Sequence, residues 1–282
     1  MTWKEIETIF NRALKFTFSK RKLFFTIPIL IFCGLISVFF RTLGTTDSDW
    51  LMIGMTFTPL FLCTSILLAA GIFLTRIYHH EVKGLEISYR RTLGLSKHLM
   101  VDVAYLIFPV ILIYLVLWTF LGFFYLFKKI PGIGEALGVV FSFGPFLLLL
   151  GLFALSLLSL GILFFMTPLV SLKSSIQFEV LKGVIKRISF SPFTNFALMF
   201  LGLLPLIFIA GLMTLAVLMT GKNFVATEHP IAVSLEWFFM MIPFSTLLTP
   251  GVIFFFNFAA ESHVLMSKKM NDIEKSECES LS

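Results

Sequence analysis

Long charge-free runs of apolar residues constrain the fold of this chain more than any other feature. Five runs are long enough for a helix that crosses a bilayer, and a sixth is slightly shorter. Such a helix needs roughly 20 apolar residues to span about 30 Å of hydrocarbon. Charged residues make up 13% of the chain, against about 25% in ordinary soluble domains. The sequence therefore predicts an all-α, polytopic transmembrane helical bundle.

The apolar runs divide into six predicted spans. They cover residues 23–40, 51–75, 103–127, 146–171, 195–219 and 236–260. The fourth lies in a charge-free run of 37 residues, which is too long for one upright span and too short for two. We expect Gly144-Pro145 to break this run, with a short helical shoulder at 137–144. The longest stretch outside the spans is about two dozen residues, too short for a core of its own, so 1–282 is predicted to be a single membrane domain.

Three basic amphipathic segments flank the spans. Residues 1–22 form the first, whose apolar residues recur at three- and four-residue steps: Trp3, Ile6, Phe10, Ala13 and Thr17. The other two are 77–93, with its stripe of Tyr78, Val82, Leu85, Tyr89 and Leu93, and 173–191, with Ile176, Val180, Val184 and Ile188. We expect such helices to lie in the membrane interface with their apolar faces among acyl chains. Residues 262–282 are predicted to be a polar tail.

The distribution of basic residues predicts the orientation of the spans. Eighteen of the 22 lysines and arginines fall on the side of the membrane that holds both termini. Cytoplasmic loops are the ones that carry such an excess. We therefore predict six spans with both termini, the 1–22 segment and the 262–282 tail in the cytoplasm. The basic segments are expected to contact anionic lipid headgroups; because they do not form a folded module, no nucleic-acid partner is expected.

A loose threefold pattern runs through the chain. Each unit contains a basic amphipathic stretch, a span, a short outer turn and a second span with an internal proline. The markers are Arg12, Arg91 and Arg187 for the basic stretches, and Pro59, Pro145 and Pro243 for the second spans. The pattern predicts three α-hairpin repeats. The alternative is that any membrane protein built from helical hairpins under the positive-inside rule gives a similar pattern.

Short motifs in the middle of the chain carry a family resemblance. They are Arg90-Arg91-Thr92-Leu93, Lys129-Ile130-Pro131-Gly132-Ile133 and Thr167-Pro168-Leu169-Val170. Residues 85–210 thereby resemble the membrane domain fused to some glycerophosphodiester phosphodiesterases, and its stand-alone bacterial relatives, the YciC-type inner-membrane proteins. The resemblance implies a six-span fold in the bacterial inner membrane. It implies little about function, because that membrane domain has no established chemistry.

Few polar residues lie where they could carry out chemistry. Asp102, Glu236 and Glu261 fall at predicted span ends, where we expect them to reach headgroups or water. Asn257 lies deepest, and such an amide is expected to hydrogen-bond a neighbouring helix. His79 and His80 are adjacent on a predicted helix, so their side chains point about 100° apart and are not expected to share a metal ion.

No catalytic, cofactor-binding or metal-binding residue is predicted, and a substrate-binding residue cannot be assigned. The three cysteines Cys33, Cys63 and Cys278 do not form a disulfide framework. The leading hypothesis is a non-catalytic membrane protein that acts through lipid or protein contacts. The alternative is a permease subunit of an ATP-driven transporter, with 77–97 and 173–191 as coupling helices. An intramembrane enzyme acting on a lipid is a third hypothesis.

Overall fold

The computed structural model of the chain describes residues 2–43, 49–85, 94, 107–128, 130, 143–172, 177–220 and 230–281. Within these ranges the chain is all-α and forms eight long helices. They are α1 (Trp3–Lys15), α2 (Lys20–Leu43), α3 (Asp49–Val82), α4 (Phe108–Lys128), α5 (Phe143–Leu172), α6 (Gln177–Phe190), α7 (Pro192–Thr220) and α8 (Pro230–Leu281).

Six of these helices, α2 to α5 together with α7 and α8, are long and apolar enough to cross a membrane. The predicted six-span, polytopic fold is therefore confirmed. The helix bounds differ from the predicted spans at several ends, because helices continue past the hydrocarbon into polar sequence. Helix α5 begins at Phe143, so Pro145 lies in its first turn, where a missing backbone N–H removes no helical hydrogen bond. The predicted shoulder at 137–144 lies mostly outside the described residues.

Helix α8 lies at the centre of the bundle. It packs against α1, α2, α3, α5, α6 and α7, and every residue from Gly251 to Ser262 is buried. The approach of α3 to α8 depends on Gly71, since a Cβ atom at that position would lie only 2.3 Å from the ring of Phe256. Small residues of this kind allow membrane helices to pack closely.

The three helical hairpins, α2–α3, α4–α5 and α7–α8, pack in a repeated order. Their second helices, α3, α5 and α8, contact one another, whereas the first helices lie outside them. Helix α2 packs on α3 and α8, and α4 packs on α5 and α3. Helix α7 packs on α8 and also brings Gly202 against Phe164 of α5. This order agrees with the three hairpin repeats predicted from the sequence.

The outer helices present large apolar side chains on their free faces. Phe120 and Phe123 of α4 are exposed, as are Phe196, Phe200 and Phe208 of α7. Exposed apolar patches of this extent are rare on soluble monomers, but acyl chains cover them in a bilayer. The outer surface therefore agrees with the composition of the six spans, and the chain is a multi-pass membrane protein.

The segment predicted to be a polar tail, 262–282, is helical as far as the structure describes it. Helix α8 continues without interruption from the last predicted span, 236–260, to Leu281. Neither glycine nor proline occurs after Gly251, so the two residues that most strongly interrupt a helix are absent from this part of the sequence. The polar segment is a helical extension of the last span.

The N-terminal helix is amphipathic, as predicted, but its apolar face contacts protein. Ile9 and Ala13 are buried, and the ring of Phe10 lies 4.9 Å from that of Phe254 in α8. Trp3, which was predicted to be on the same face, is 76% exposed. The expectation that this face is embedded among acyl chains is wrong for Phe10 and Ala13, because α8 and the rest of the bundle cover them.

The other two amphipathic segments are also tied to the bundle. Residues up to Val82 continue α3, and Tyr78 is buried, although the predicted stripe placed it among lipids. The remainder of the 77–93 stripe beyond Leu85 lies outside the described residues. Helix α6 forms within the third segment, and its Val184 is buried.

Candidate functional site

Five polar side chains from four helices meet at the end of the bundle that holds α1. Arg12 comes from α1, Lys22 from α2, Tyr78 and Glu81 from α3, and Glu261 from α8. We call these five residues the polar network. They meet there because the start of α2, the end of α3 and the buried part of α8 lie beside α1. This is the end of the bundle that the sequence predicts to be cytoplasmic.

Glu261 is buried, with 8% of its side chain exposed. The Tyr78 hydroxyl donates a 2.7 Å hydrogen bond to its Oε1, and Nη1 of Arg12 lies 3.5 Å from its Oε2. The prediction that Glu261 reaches headgroups or water at the end of a span is therefore wrong. Because α8 does not end near residue 260, this carboxylate remains inside the bundle and takes its partners from α1 and α3.

Lys22 and Glu81 form the second ion pair of the polar network. Nζ of Lys22 lies 2.5 Å from Oε2 of Glu81, and the lysine side chain is fully buried. The same Nζ donates to the carbonyl oxygen of Phe16 at 3.2 Å and lies 5.0 Å from the centre of the Tyr78 ring. A buried ammonium needs such partners, because an unpaired charge in the interior is very unfavourable.

A third ion pair joins the two ends of the chain beyond the polar network. Nζ of Lys269 in α8 lies 2.7 Å from Oε2 of Glu5 in α1. Glu5 also accepts a hydrogen bond from the backbone N–H of Thr2. These contacts, led by the hydrogen bond from Lys269, lower the pKa of Glu5 from 4.5 to about 2. The pair therefore holds α1 against the helical extension of α8.

Arg187, a marker of the predicted repeat, is buried where α6 meets α5, α7 and α8. Its Nε donates to Oδ1 of Asn195 at 3.1 Å, and Nδ2 of Asn195 donates back to the Arg187 carbonyl at 2.8 Å. The guanidinium lies 5.1 Å from the Phe165 ring centre and 3.4 Å from Nδ1 of His263. Burial lowers the pKa of Arg187 to about 10, so the residue stays protonated at neutral pH.

Arg12 occupies the corresponding place at α1, and the two marker arginines share a role. Each lies in the amphipathic helix before the first span of its hairpin, and each contacts a polar side chain of α8, Glu261 for Arg12 and His263 for Arg187. Arg91, the third marker, lies outside the described residues. The sequence signal was present in the repeat, but it did not indicate that these arginines contact α8.

The remaining polar candidates lie apart from one another. Nδ2 of Asn257 donates to the carbonyl oxygen of Ala13 at 3.3 Å, which confirms the predicted hydrogen bond to a neighbouring helix. The rings of His79 and His80 have centres 6.4 Å apart. Glu236 is half-buried near the start of α8, and Asp102 lies outside the described residues. Among the residues that the structure describes, no three His, Cys, Asp or Glu side chains cluster as metal ligands would.

Two adjoining recesses open beside the polar network. One, of about 550 Å³, is lined by Lys15, Phe16, Phe18, Glu81 and Leu85, among others. The other, of about 570 Å³, shares Lys15 and Phe16 and adds Asn11, Arg12 and Val82. We call the two together the α1 recess. It combines exposed basic groups with aromatic and aliphatic walls, which is the chemistry that binds an amphiphile with an anionic end.

The fold and this site define the class: an α-helical, multi-pass membrane protein with a partly buried polar network at one end of the bundle. Comparisons of the chain with protein-family models, with curated proteins and with solved structures give no match.

Proposed function

We propose that this protein is a non-catalytic component of the bacterial inner membrane, with both termini in the cytoplasm, that binds anionic phospholipid headgroups in the α1 recess. The observation that carries the proposal is the position of Arg12 and Lys15, which line a recess with apolar walls at the predicted cytoplasmic end. Membership of the family of phosphodiesterase-linked membrane domains is part of the same proposal and is supported only by the short motifs within residues 85–210.

Arg12 is suited to a phosphate because only part of its guanidinium is engaged within the protein. Its side chain is 48% exposed, and its contact with Glu261 is long at 3.5 Å. A guanidinium offers five N–H donors in a planar fork, which matches two oxygens of a phosphate. Glu261 therefore orients the group, while the outer edge faces the recess.

Lys15 supplies the second charge at the wall shared by the two recesses. Its Nζ lies 6.0 Å from the centre of the Phe16 ring, so the ammonium lies beside an aromatic surface while remaining exposed. A basic residue near an anionic leaflet contributes about 1 kcal/mol to binding. Arg12 and Lys15 together would then give about 2 kcal/mol, or roughly 30-fold in affinity.

The packing of α6 differs from the coupling role considered for a permease subunit, in which its predicted apolar stripe would fit an ATPase. Val184 of that stripe is buried within the bundle, and the exposed apolar residue Ile185 lies on another face. The polar network itself favours a structural use of its charges, since each carboxylate already has a cation or a hydroxyl as partner. These side chains orient the Arg12 guanidinium beside the recess and hold α1 in place.

A titration of the purified full-length protein with short-chain phosphatidylglycerol tests the proposal. We expect the Arg12→Gln/Lys15→Gln variant to bind about 30-fold more weakly than the natural chain, and binding by the natural chain to weaken as salt is added. Lys4→Gln is the matched control, because Lys4 is an exposed lysine on the same helix that does not line the recess. Lys15→Gln alone keeps the Arg12–Glu261 contact, so it tests the recess even if the double variant does not fold.

Two results would contradict the proposal. One is equal affinity of the natural chain and Lys15→Gln for phosphatidylglycerol. The other is equal affinity of the natural chain for phosphatidylcholine, which carries the same phosphate but no net charge. Either would show that anionic headgroups are not recognised through this recess.

A further inference from the structure

A groove between α2 and α3 opens on the outside of the bundle at the end opposite to the α1 recess. Its volume is about 470 Å³, and its lining includes Arg41, Met55, Pro59, Leu60 and Cys63. Leu60 is 41% exposed, so the groove faces the surroundings of the bundle. We call it the α2–α3 groove.

Arg41 lies at the mouth of this groove, two residues before the end of α2. Its guanidinium lies over the Trp237 ring, 4.4 Å from the ring centre. Arginine stacks on aromatic rings through its flat face and donates hydrogen bonds to a phosphate from its edges, so a contact with Trp237 is compatible with a bound phosphate. Tryptophan favours the headgroup level of a membrane. Trp237 and Trp50, near the starts of α8 and α3, therefore place Arg41 at the depth of lipid phosphates.

The groove runs inward from Arg41 to the level of two cysteines. Sγ of Cys63 lies 3.5 Å from the carbonyl oxygen of Cys33, so these residues mark one depth in the bundle. Cys33 is eight positions before Arg41 in α2, which corresponds to about 12 Å along the helix. One leaflet of hydrocarbon is about 15 Å thick. The groove is therefore about as deep as the path of an acyl chain through one leaflet.

The two hydroxyl groups of the lining have partners within their own helices. Ser37 donates to the carbonyl oxygen of Cys33, and Thr56 donates to that of Met52. Among the described residues that line the groove, Arg41 alone is charged. The lining is thus apolar along the groove and carries one cation at the end near the lipid headgroups. This arrangement complements a phospholipid, whose acyl chain is apolar and whose phosphate is anionic.

We propose that the α2–α3 groove binds a single phospholipid of the leaflet opposite to the α1 recess. Its phosphate binds the edge of Arg41, and one acyl chain lies along Met55, Pro59 and Leu60 toward Cys63. This site is separate from the proposed headgroup site, since it uses other residues at the other end of the bundle. Loss of either site leaves the evidence for the other unchanged.

Photo-crosslinking with a photoreactive amino acid at Leu60 tests this site directly. The full-length protein is purified, washed extensively with detergent and irradiated, and the attached lipid is identified by peptide mass. We expect a phospholipid on the Leu60 peptide and none at Leu112, a position of similar exposure on α4. Arg41→Gln should lower the Leu60 crosslink about fivefold or more. Lys128→Gln, which removes a charge from the end of α4 outside the groove, should leave it unchanged.

Two further experiments distinguish phospholipid binding from binding of free phosphate or of an uncharged lipid. Added inorganic phosphate should not displace the crosslinked lipid, and diacylglycerol supplied in its place should not crosslink after washing. Any of three results would overturn the proposal. The first is undiminished Leu60 crosslinking in the Arg41→Gln variant, and the second is equal crosslinking with diacylglycerol. The third is loss of the crosslink when inorganic phosphate is added. If Arg41→Gln fails to fold, Met55→Trp tests the groove by filling it while keeping the cation, and undiminished crosslinking in that variant would also overturn the proposal.

Discussion

Single residues determine how the polar network is held together. Lys22 is fully buried against Glu81, of which 13% is exposed, and Glu261 is held between Tyr78 and Arg12. Removing one member of a buried pair leaves an uncompensated charge, whereas removing both avoids that penalty. The network therefore predicts strong coupling between its members in any measurement of stability.

Replacing Lys22 with methionine tests this coupling. Because Glu81 loses its cation, we expect Lys22→Met to lower the free energy of unfolding by about 3 kcal/mol or more. The double variant Lys22→Met/Glu81→Gln should recover much of that loss. Unfolding in mixed detergent micelles gives both values, with Lys20→Met as the exposed control. If the two substitutions were simply additive, the pair would not be coupled.

The lowered pKa of Glu5 predicts that the contact between α1 and α8 depends on pH. Its pKa is lowered to about 2 by Lys269, so the carboxylate favours the folded contact at any pH above its ordinary pKa of 4.5. That contribution is lost as pH falls from about 4.5 toward about 2. Spin labels at Thr8→Cys and Ser267→Cys should therefore move apart over this range.

Glu5→Gln is the control for that distance measurement. It lacks the titrating group, so its distance should not change over the same pH range. A natural chain whose α1–α8 distance is constant down to pH 2 would contradict the role given to this ion pair.

The helices that could be predicted from the sequence are those whose length is set by the thickness of the bilayer. The six spans follow from apolar length alone, and the described structure contains them. The continuation of α8 to Leu281 was missed because polar residues were taken to end the helix, although no glycine or proline does so. The amphipathic period of α1 was correct, but periodicity does not tell whether lipid or another helix covers an apolar face.

The contact between α3 and α8 gives a prediction at this scale. Gly71→Ala would place a Cβ atom about 2.3 Å from the Phe256 ring, so the two helices must separate or the ring must move. We expect a loss of about 1–3 kcal/mol in unfolding free energy, partly recovered by Phe256→Leu. Gly211→Ala is the matched control, since no atom lies within 4 Å of the added carbon there. Equal stability of the two glycine variants would contradict the packing described for α8.

The whole molecule joins residues that are far apart in the chain. Tyr78 and Glu261 are separated by 183 positions, and a single sequence gives no indication that they meet. The sequence predicted the repeat of basic stretches and hairpins, and the packing order of the six spans agrees with it. It could not predict the polar network, because the partners of each charge are determined only when α1, α3 and α8 pack together.

The leaflets assigned to the α1 recess and the α2–α3 groove both depend on one claim, that the chain crosses the membrane six times with its termini in the cytoplasm. Labelling of single cysteines in intact cells with a membrane-impermeant reagent tests this most directly, in a background where Cys33, Cys63 and Cys278 are replaced. We predict that Thr45→Cys is labelled and that Ser88→Cys is labelled only after the cells are opened. Labelling of Ser88→Cys in intact cells would contradict the account.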